Sequence, residues 1–274
     1  MYKASISLAS TCPNRDGTCG FGGCAFCSSE GSGEFASSVS EDIKTQIDNA
    51  IFKVRAKTDD TTGFIAYFQS FTTTYVSPEV LEKALFEASS HPLIEAISIA
   101  TRPDCLGKDI MEVIKKVNKL CPVSVELGLQ TSSDITAESF GRGYRTAVYD
   151  DAVSRLKSIG VEVITHIIFG LPGETSEDML TSVKHSIEVG TDGLKFTCLF
   201  ILEGTRYKKL WEQGEIVPLE MEEYFDIVEK ALEIVPEGMP ILRITGDGPK
   251  KILLAPLWTS NKRAVVNYIN RRFA

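Results

Sequence analysis

Apolar and β-branched residues gather in short runs at 4–8, 64–68, 96–100, 123–129, 161–169, 194–200 and 241–244. Each run is followed by a helical pattern or by a loop leading into one, which reads as βα repetition. Helix punctuation supports the pattern. Ser40 is placed to cap a helix with Glu41 and Asp42 in its first turn, and Ser77-Pro78-Glu79 offers a cap followed by proline at the first helical position. Helical patterns at 147–159 and 174–189 each stop at a glycine, Gly160 and Gly190, before the next strand begins.

Short connections between alternating strands and helices imply a parallel sheet with helices outside it, as an open doubly wound sheet or as a barrel. Six such units favour the barrel. An open dinucleotide-binding sheet would carry a glycine fingerprint opening a helix after the first strand. Gly20-Phe21-Gly22-Gly23 instead sits among cysteines, with no helix behind it. Ligands of parallel α/β folds gather at the carboxyl ends of strands, and the cysteine loop leaves the first strand at that end.

Composition changes this picture in two places. The 274 residues are 43% hydrophobic and 24% charged, which suits a soluble chain with a sizeable core and excludes disordered, collagen-like and coiled-coil classes. No run approaches the ~20 apolar residues of a membrane span, and the start lacks the apolar core of a signal peptide. A cytoplasmic location with no membrane partner is expected. The net charge of −8 opposes general nucleic-acid affinity, yet 243–274 holds seven Lys/Arg against one acid, Asp247. That basic tail suits either an RNA-contacting end or a solvated terminal helix.

Cysteine placement matters more. Of seven cysteines, Cys12, Cys19, Cys24 and Cys27 fall within sixteen residues, while Cys105, Cys121 and Cys198 are scattered and expected to pack as small hydrophobes. Clustered thiols in a cytosolic chain are more often metal ligands or redox groups than disulfides. A structural zinc site usually has two paired knuckles, and only Cys24-Ala25-Phe26-Cys27 forms one. A thioredoxin-type pair would open a helix, but Ser-Ser-Glu-Gly-Ser-Gly follows. An iron–sulfur cluster is held by thiolates in a glycine-rich loop whose amides reach the sulfides, and the spacing favours it over zinc.

Several strings in one order then make the chain resemble the radical S-adenosylmethionine (SAM) enzymes, specifically their YhcC/MnmL (YtqA-like) family. They are Cys12-Pro-Asn-Arg-Asp-Gly-Thr, Gly22-Gly23-Cys24-Ala25-Phe26-Cys27, Gly31-Ser32-Gly33, Ala100-Thr-Arg-Pro-Asp-Cys105, Glu126-Leu-Gly-Leu-Gln-Thr131, Gly170-Leu-Pro172 and Arg243-Ile-Thr-Gly-Asp-Gly-Pro249. The resemblance implies an α/β fold, a partial (β/α)6 barrel over 1–235 with a cluster loop at 12–35, closed by a short basic α/β extension at 236–274. It implies that Cys12, Cys24 and Cys27 hold a [4Fe-4S] cluster, leaving one iron for SAM and leaving Cys19 outside the set. Eleven residues separate the first two ligands, a spacing wider than the commonest radical SAM pattern and shared by this branch.

Coproporphyrinogen-dehydrogenase-like relatives extend the carry-over to SAM. Gln130 and Arg142 match residues that bind its ribose and carboxylate region. His166 matches a ribose-contacting strand position occupied there by aspartate, and is equally readable as a core histidine. Gly170 follows on the same strand. Gln69-Ser70-Phe71-Thr72 stands where relatives bind the methionine amino group with a glycine-rich turn, whose glycines it lacks. Arg102 in its Arg-Pro-Asp string, Glu126, Arg243 and Asp247 are the catalytic or substrate candidates. A buried Glu126 would need a partner. Arg102 is alternatively a rim salt bridge, and the glycine-containing 243–249 loop alternatively a structural turn. His91 and His185 are expected at the surface.

The implied activity is reductive cleavage of SAM to a 5′-deoxyadenosyl radical. The implied substrate is tRNA, its wobble 5-carboxymethylaminomethyluridine becoming 5-aminomethyluridine. Implied partners are an electron donor such as flavodoxin or ferredoxin and a tRNA methyltransferase, with Lys262, Arg263, Arg271 and Arg272 on the phosphates. Two other readings stay open: a radical SAM enzyme acting on a small metabolite, and a non-catalytic zinc-stabilised RNA-binding module.

Overall fold

The computed structural model describes residues 1–29, 31, 39–59 and 62–273. Ser32 and Gly33 of the Gly31-Ser32-Gly33 string, and the end of the 12–35 loop, lie outside the described residues. In chain order the elements are β1 (Tyr2–Ile6), α1 (Ile43–Val54), β2 (Phe64–Phe68), α2 (Pro78–Ser89), β3 (Ile94–Thr101), α3 (Lys108–Asn118), β4 (Val123–Gln130), α4 (Asp134–Ser139) and α5 (Thr146–Ser158). They continue with β5 (Glu162–Phe169), α6 (Ser176–Val189), β6 (Gly193–Cys198), β7 (Ile201–Leu202), α7 (Arg206–Glu212), α8 (Met221–Ile234), β8 (Ile241–Arg243), β9 (Leu253–Ala255) and α9 (Lys262–Arg272).

Seven strands form one parallel sheet in the order β1-β2-β3-β4-β5-β6-β8, while β7 and β9 form a separate antiparallel pair. The first six strands are therefore neighbours in chain order, as βα repetition requires. Buried residues occupy both faces of β2 and β4, which explains why these strands read as nearly continuous apolar runs.

Helix ends follow local chemistry, with one correction. The cap of α1 is Asp42, whose carboxylate accepts from the Thr45 amide at 2.7 Å, and not Ser40. Ser77 caps α2 with Pro78 in the first turn, as read from sequence. Thr175 and Asp178 form a reciprocal capping box on α6, and Gly190 ends that helix at φ 101, the left-handed region open to glycine. Gly160 follows α5 at φ 73.

The chain divides into two compact units. The first comprises Met1–Gly22, Glu30–Gly128 and Ala147–Ile164, and the second Gly23–Ser29, Leu129–Thr146 and Thr165–Ala274. In the first, α1, α2 and α3 pack side by side, and Ile110, Met111, Val113, Ile114 and Val117 form the buried stripe of α3. In the second, one core joins β5, β6, α6, α8 and α9, with Phe169 stacked on Phe196 at 5.0 Å. A second core there gathers Ala25, Phe140, Leu171, Leu199, Ile201, Tyr207 and Ala255. Among the described residues, no helix is long and apolar enough to cross a membrane.

Candidate functional site

Several backbone positions after the strands are unusual. Only two non-glycine residues among those described have positive φ: Phe71, just past β2, at 50°, and Gln130, the last residue of β4, at 61°. A side chain in the left-handed region costs on the order of 1 kcal/mol or more, and such residues concentrate where a fold presents a group to a ligand.

In the first unit, β1 leads into the loop that carries Cys12. Its sulfur stands 3.9 Å from Nη1 of Arg102, the residue directly after β3. Arg102 is buried and clamped by Asp104 through Nε at 2.9 Å and Nη2 at 2.6 Å. An ion pair, the alternative reading of Arg102, thus exists, but it is buried rather than on a rim. Cys105 is half-buried, and burial beside the Asp104 carboxylate pushes its thiol well up. It belongs to this polar group and does not pack as a small hydrophobe. Ser70 is buried with its hydroxyl 2.5 Å from that of Ser7, and Gln69 is half-buried. Cys19 is exposed, and the loop turns back through a Cys19 amide bond to the Pro13 carbonyl at 2.7 Å.

Glu126 has the partners its burial demands. Its Oε1 accepts from Lys3 Nζ at 2.6 Å and from Ser98 Oγ at 3.0 Å, and its Oε2 from the Tyr67 hydroxyl at 2.8 Å. Lys3 also lies 4.0 Å from the Tyr67 ring centroid. One side chain from each of β1 to β4 meets in this network, a satisfied polar floor of the first unit.

The second unit carries Cys24 and Cys27. Their segment is a tight turn, with the Cys27 amide donating to the Cys24 carbonyl at 2.9 Å. Ala25 is buried and fixed at both ends: its amide donates to the Phe140 carbonyl at 2.8 Å and its carbonyl accepts from the Tyr207 amide at 3.1 Å. Phe26 packs on the Phe140 and Tyr207 rings at 5.2 and 6.5 Å. Arg206 donates to the carbonyls of Gly23 and Phe140 at 3.3 and 3.0 Å. Sequence reasoning missed Arg206, Tyr207 and Phe140, since nothing in their local pattern connects them to a loop more than a hundred residues away. Burial pushes the Tyr207 hydroxyl up to about 12.

Arg142, 1% exposed, gives every guanidinium N–H to the protein. Nη1 donates to the carbonyls of Leu129 and Thr131, both at 2.7 Å, Nε to Tyr144, and Nη2 to Asp134 and Thr146. Leu129 and Thr131 flank Gln130, so Arg142 holds the turn that places Gln130 in its strained conformation. Its geometry is that of a positioning residue. The Tyr144 hydroxyl donates to Gln130 Oε1 at 3.4 Å.

His166 lies half-buried on β5. Gly170 follows that strand at φ 91, where an added Cβ would meet Leu219 at 3.1 Å. Glu174, on the loop behind it, accepts from the Thr131 hydroxyl at 2.5 Å, and burial raises its carboxyl above the ordinary range. Its Oε2 is buried without a partner among the described residues. Arg243 ends β8 exposed, and Asp247 pairs with Lys262 at 2.8 Å. Gly246 and Gly248 of the same loop are structural, because a Cβ would stand 3.1 Å from Phe200 and 2.6 Å from Leu253.

One surface reading needs correction. His91 is buried, its Nε2 3.1 Å from Asp48. Arg272 pairs with Asp226 and Glu229 on α8, and Lys262, itself exposed, forms a surface pair with Asp247. Arg263 and Arg271 are exposed. His185 is half-buried.

No group of three His, Cys, Asp or Glu side chains converges to hold a metal among the described residues. The donor chemistry nonetheless fits thiolate ligation of a cluster: Cys12 in the first unit, and Cys24 and Cys27 in the second, are partly exposed and in no disulfide, and Cys12 has a guanidinium N–H aimed at its sulfur.

Residues 10–185 match the Radical SAM superfamily, and residues 191–274 match the radical SAM C-terminal domain. The chain belongs to the radical SAM superfamily. It is 38% identical to the uncharacterized protein YtqA of Bacillus subtilis over 271 residues, covering 99% of this chain and 84% of that protein. It is 32% identical to protein YhcC of Escherichia coli over 266 residues, at 96% and 84% coverage. A solved structure of the archaeal Methanocaldococcus infernus Elp3 superposes with a TM-score of 0.72 at 19% identity, covering 98% of this chain and 63% of that one. The chain thus spans less than two thirds of that Elp3 chain, and the likeness shows the fold: a radical SAM partial barrel.

Proposed function

We propose that this chain is a radical SAM enzyme acting on the wobble uridine of tRNA, with Cys12, Cys24 and Cys27 as the cluster ligands. The carrying observation is the Cys24–Cys27 turn, anchored by Ala25, Arg206 and Phe26, within a chain that belongs to the superfamily. When bound, a [4Fe-4S] cluster supplies the electron that splits SAM and yields the 5′-deoxyadenosyl radical. The protein's share is to position the reacting groups and keep water and stray hydrogen donors away. The Arg206 and Ala25 bonds hold two thiols in a fixed turn. Gln130, set by Arg142, and His166 on β5 with Gly170 just after it are the residues for the SAM ribose and carboxylate, and Gln69 and Ser70 those for its amino group.

Support for tRNA comes from a relative of this chain, the tRNA uridine(34) acetyltransferase of Methanocaldococcus jannaschii. It is 30% identical over 191 residues, a match to 68% of this chain and 35% of that protein. The proposed conversion is 5-carboxymethylaminomethyluridine to 5-aminomethyluridine, with a flavodoxin- or ferredoxin-type donor and a tRNA methyltransferase acting on the product. Exposed Arg243, Arg263 and Arg271 are available to phosphates.

The test is anaerobic reconstitution with iron and sulfide, then dithionite and SAM, scoring 5′-deoxyadenosine by chromatography in the wild type and in Cys24→Ala. Release by the wild type alone supports the enzyme class. Zinc uptake without SAM cleavage overturns it. Nucleoside analysis of tRNA bearing the carboxymethylaminomethyl group then reads the substrate, and unchanged nucleosides alongside active SAM cleavage overturn the tRNA assignment.

A further inference from the structure

Arg102 links β3 to the first cysteine. The two residues are 90 positions apart, and Asp104 alone engages two of the guanidinium nitrogens. The segment is held in place by its neighbours: the Cys105 amide donates to the Arg102 carbonyl at 3.2 Å, and the Thr74 hydroxyl donates to the Cys105 carbonyl at 2.8 Å while lying 2.6 Å from the Thr101 hydroxyl. With Nε and Nη2 committed to Asp104, the planar fork fixes where Nη1 points, and it points at Cys12 Sγ.

We propose that Arg102, oriented by Asp104, is a positioning residue that donates its Nη1 N–H to the Cys12 thiolate when that sulfur ligates iron, and so raises the reduction potential of the cluster. This rests on the cluster reading above. Reduction adds one electron from a low-potential reductant, dithionite in the assay, and no bond to Cys12 breaks. The added negative charge is shared with the thiolate sulfurs, so an N–H aimed at one of them stabilises the reduced form more than the oxidised form. Asp104 offsets the formal charge of the guanidinium, which leaves the directed N–H as the main influence. A lysine cannot do the same: one ammonium reaches the carboxylate or the sulfur, without the fork that holds both.

The experiment uses the full chain, reconstituted anaerobically, with iron and acid-labile sulfide measured first and the cluster midpoint then read by EPR-monitored titration without substrate. At equal iron content, Arg102→Gln is expected to shift the midpoint to a more negative potential, and Arg102→Lys to fall between it and the wild type. An unshifted midpoint in Arg102→Gln overturns the assignment. Should Arg102→Gln fail to retain iron, Arg102→Lys decides: a lowered midpoint supports the directed N–H, and a wild-type midpoint overturns it. A role in folding alone would alter iron content or thermal stability and leave the midpoint in place. A wild-type chain that takes up no iron and sulfide overturns the underlying cluster reading instead, which separates the two failures.

Discussion

Gln130 is held at φ 61 by an arginine that touches the carbonyls on both sides of it. Two substitutions separate the roles of this pair. Gln130→Gly removes the steric penalty of the left-handed conformation, so stability measured by urea denaturation is expected to hold or rise by up to ~1 kcal/mol; if Gln130 contacts SAM as proposed, SAM binding measured by equilibrium dialysis weakens. Arg142→Ala leaves several buried acceptors without donors and is expected to cost about 3 kcal/mol or more in the same denaturation assay. Equal stability of Arg142→Ala and wild type would contradict the hub role. Glu174 offers a pH test. Burial raises its folded carboxyl above the ordinary 4.5, so the folded state binds the proton more tightly than the unfolded chain does. Its contribution is therefore most favourable below pH 4.5 and is lost as pH rises through the raised value. Glu174→Gln should be the more stable protein at neutral pH and show a flatter stability–pH curve above 4.5, read by denaturation at a series of pH values.

At the scale of elements, α1 shows what a local pattern leaves undecided. Ser40, Glu41 and Asp42 are all acceptable cap chemistry, and the choice depends on where the helix can dock: Gln46 on its buried face binds the Ser7 amide and carbonyl at 2.8 and 3.1 Å. That registration makes Asp42 the cap. Asp42→Ala is expected to cost about 1 kcal/mol, measured as the difference in denaturation midpoint times slope. Elements with a strong period or a single stop residue were easier to read. The β1–β6 runs, the Ser77-Pro78 start and the Gly160 and Gly190 ends fall close to their sequence positions because burial on both faces and positive φ leave their mark on composition. The β7–β9 pair was not foreseen, since its strands span only two and three residues and pair antiparallel outside the βα repetition that the other strands follow.

For the whole molecule, the basic tail divides into cations the fold uses and cations it leaves to solvent. Arg272 is held half-buried by Asp226 and Glu229, whereas Lys262, although paired with Asp247, is exposed like Arg263 and Arg271. If tRNA is bound as proposed, Arg263→Ala with Arg271→Ala should weaken binding and reduce the slope of log affinity against log salt by nearly 2, while Arg272→Ala should lower stability and leave the slope nearly unchanged. Filter binding across a salt series reads both.

The sequence by itself determined the αβ alternation, the cysteine loop and the superfamily. Each of these lies in contiguous residues, where hydrophobic period, turn chemistry and thiol spacing act over a few positions. Only the tertiary structure decided which charges are spent inside the protein and which groups attend the cysteines. Arg102 reaches Cys12, Arg206 reaches Gly23, and Glu126 draws a side chain from each of three other strands. These contacts join residues far apart in the chain, and a buried polar group takes whichever partner the packing brings within hydrogen-bond reach.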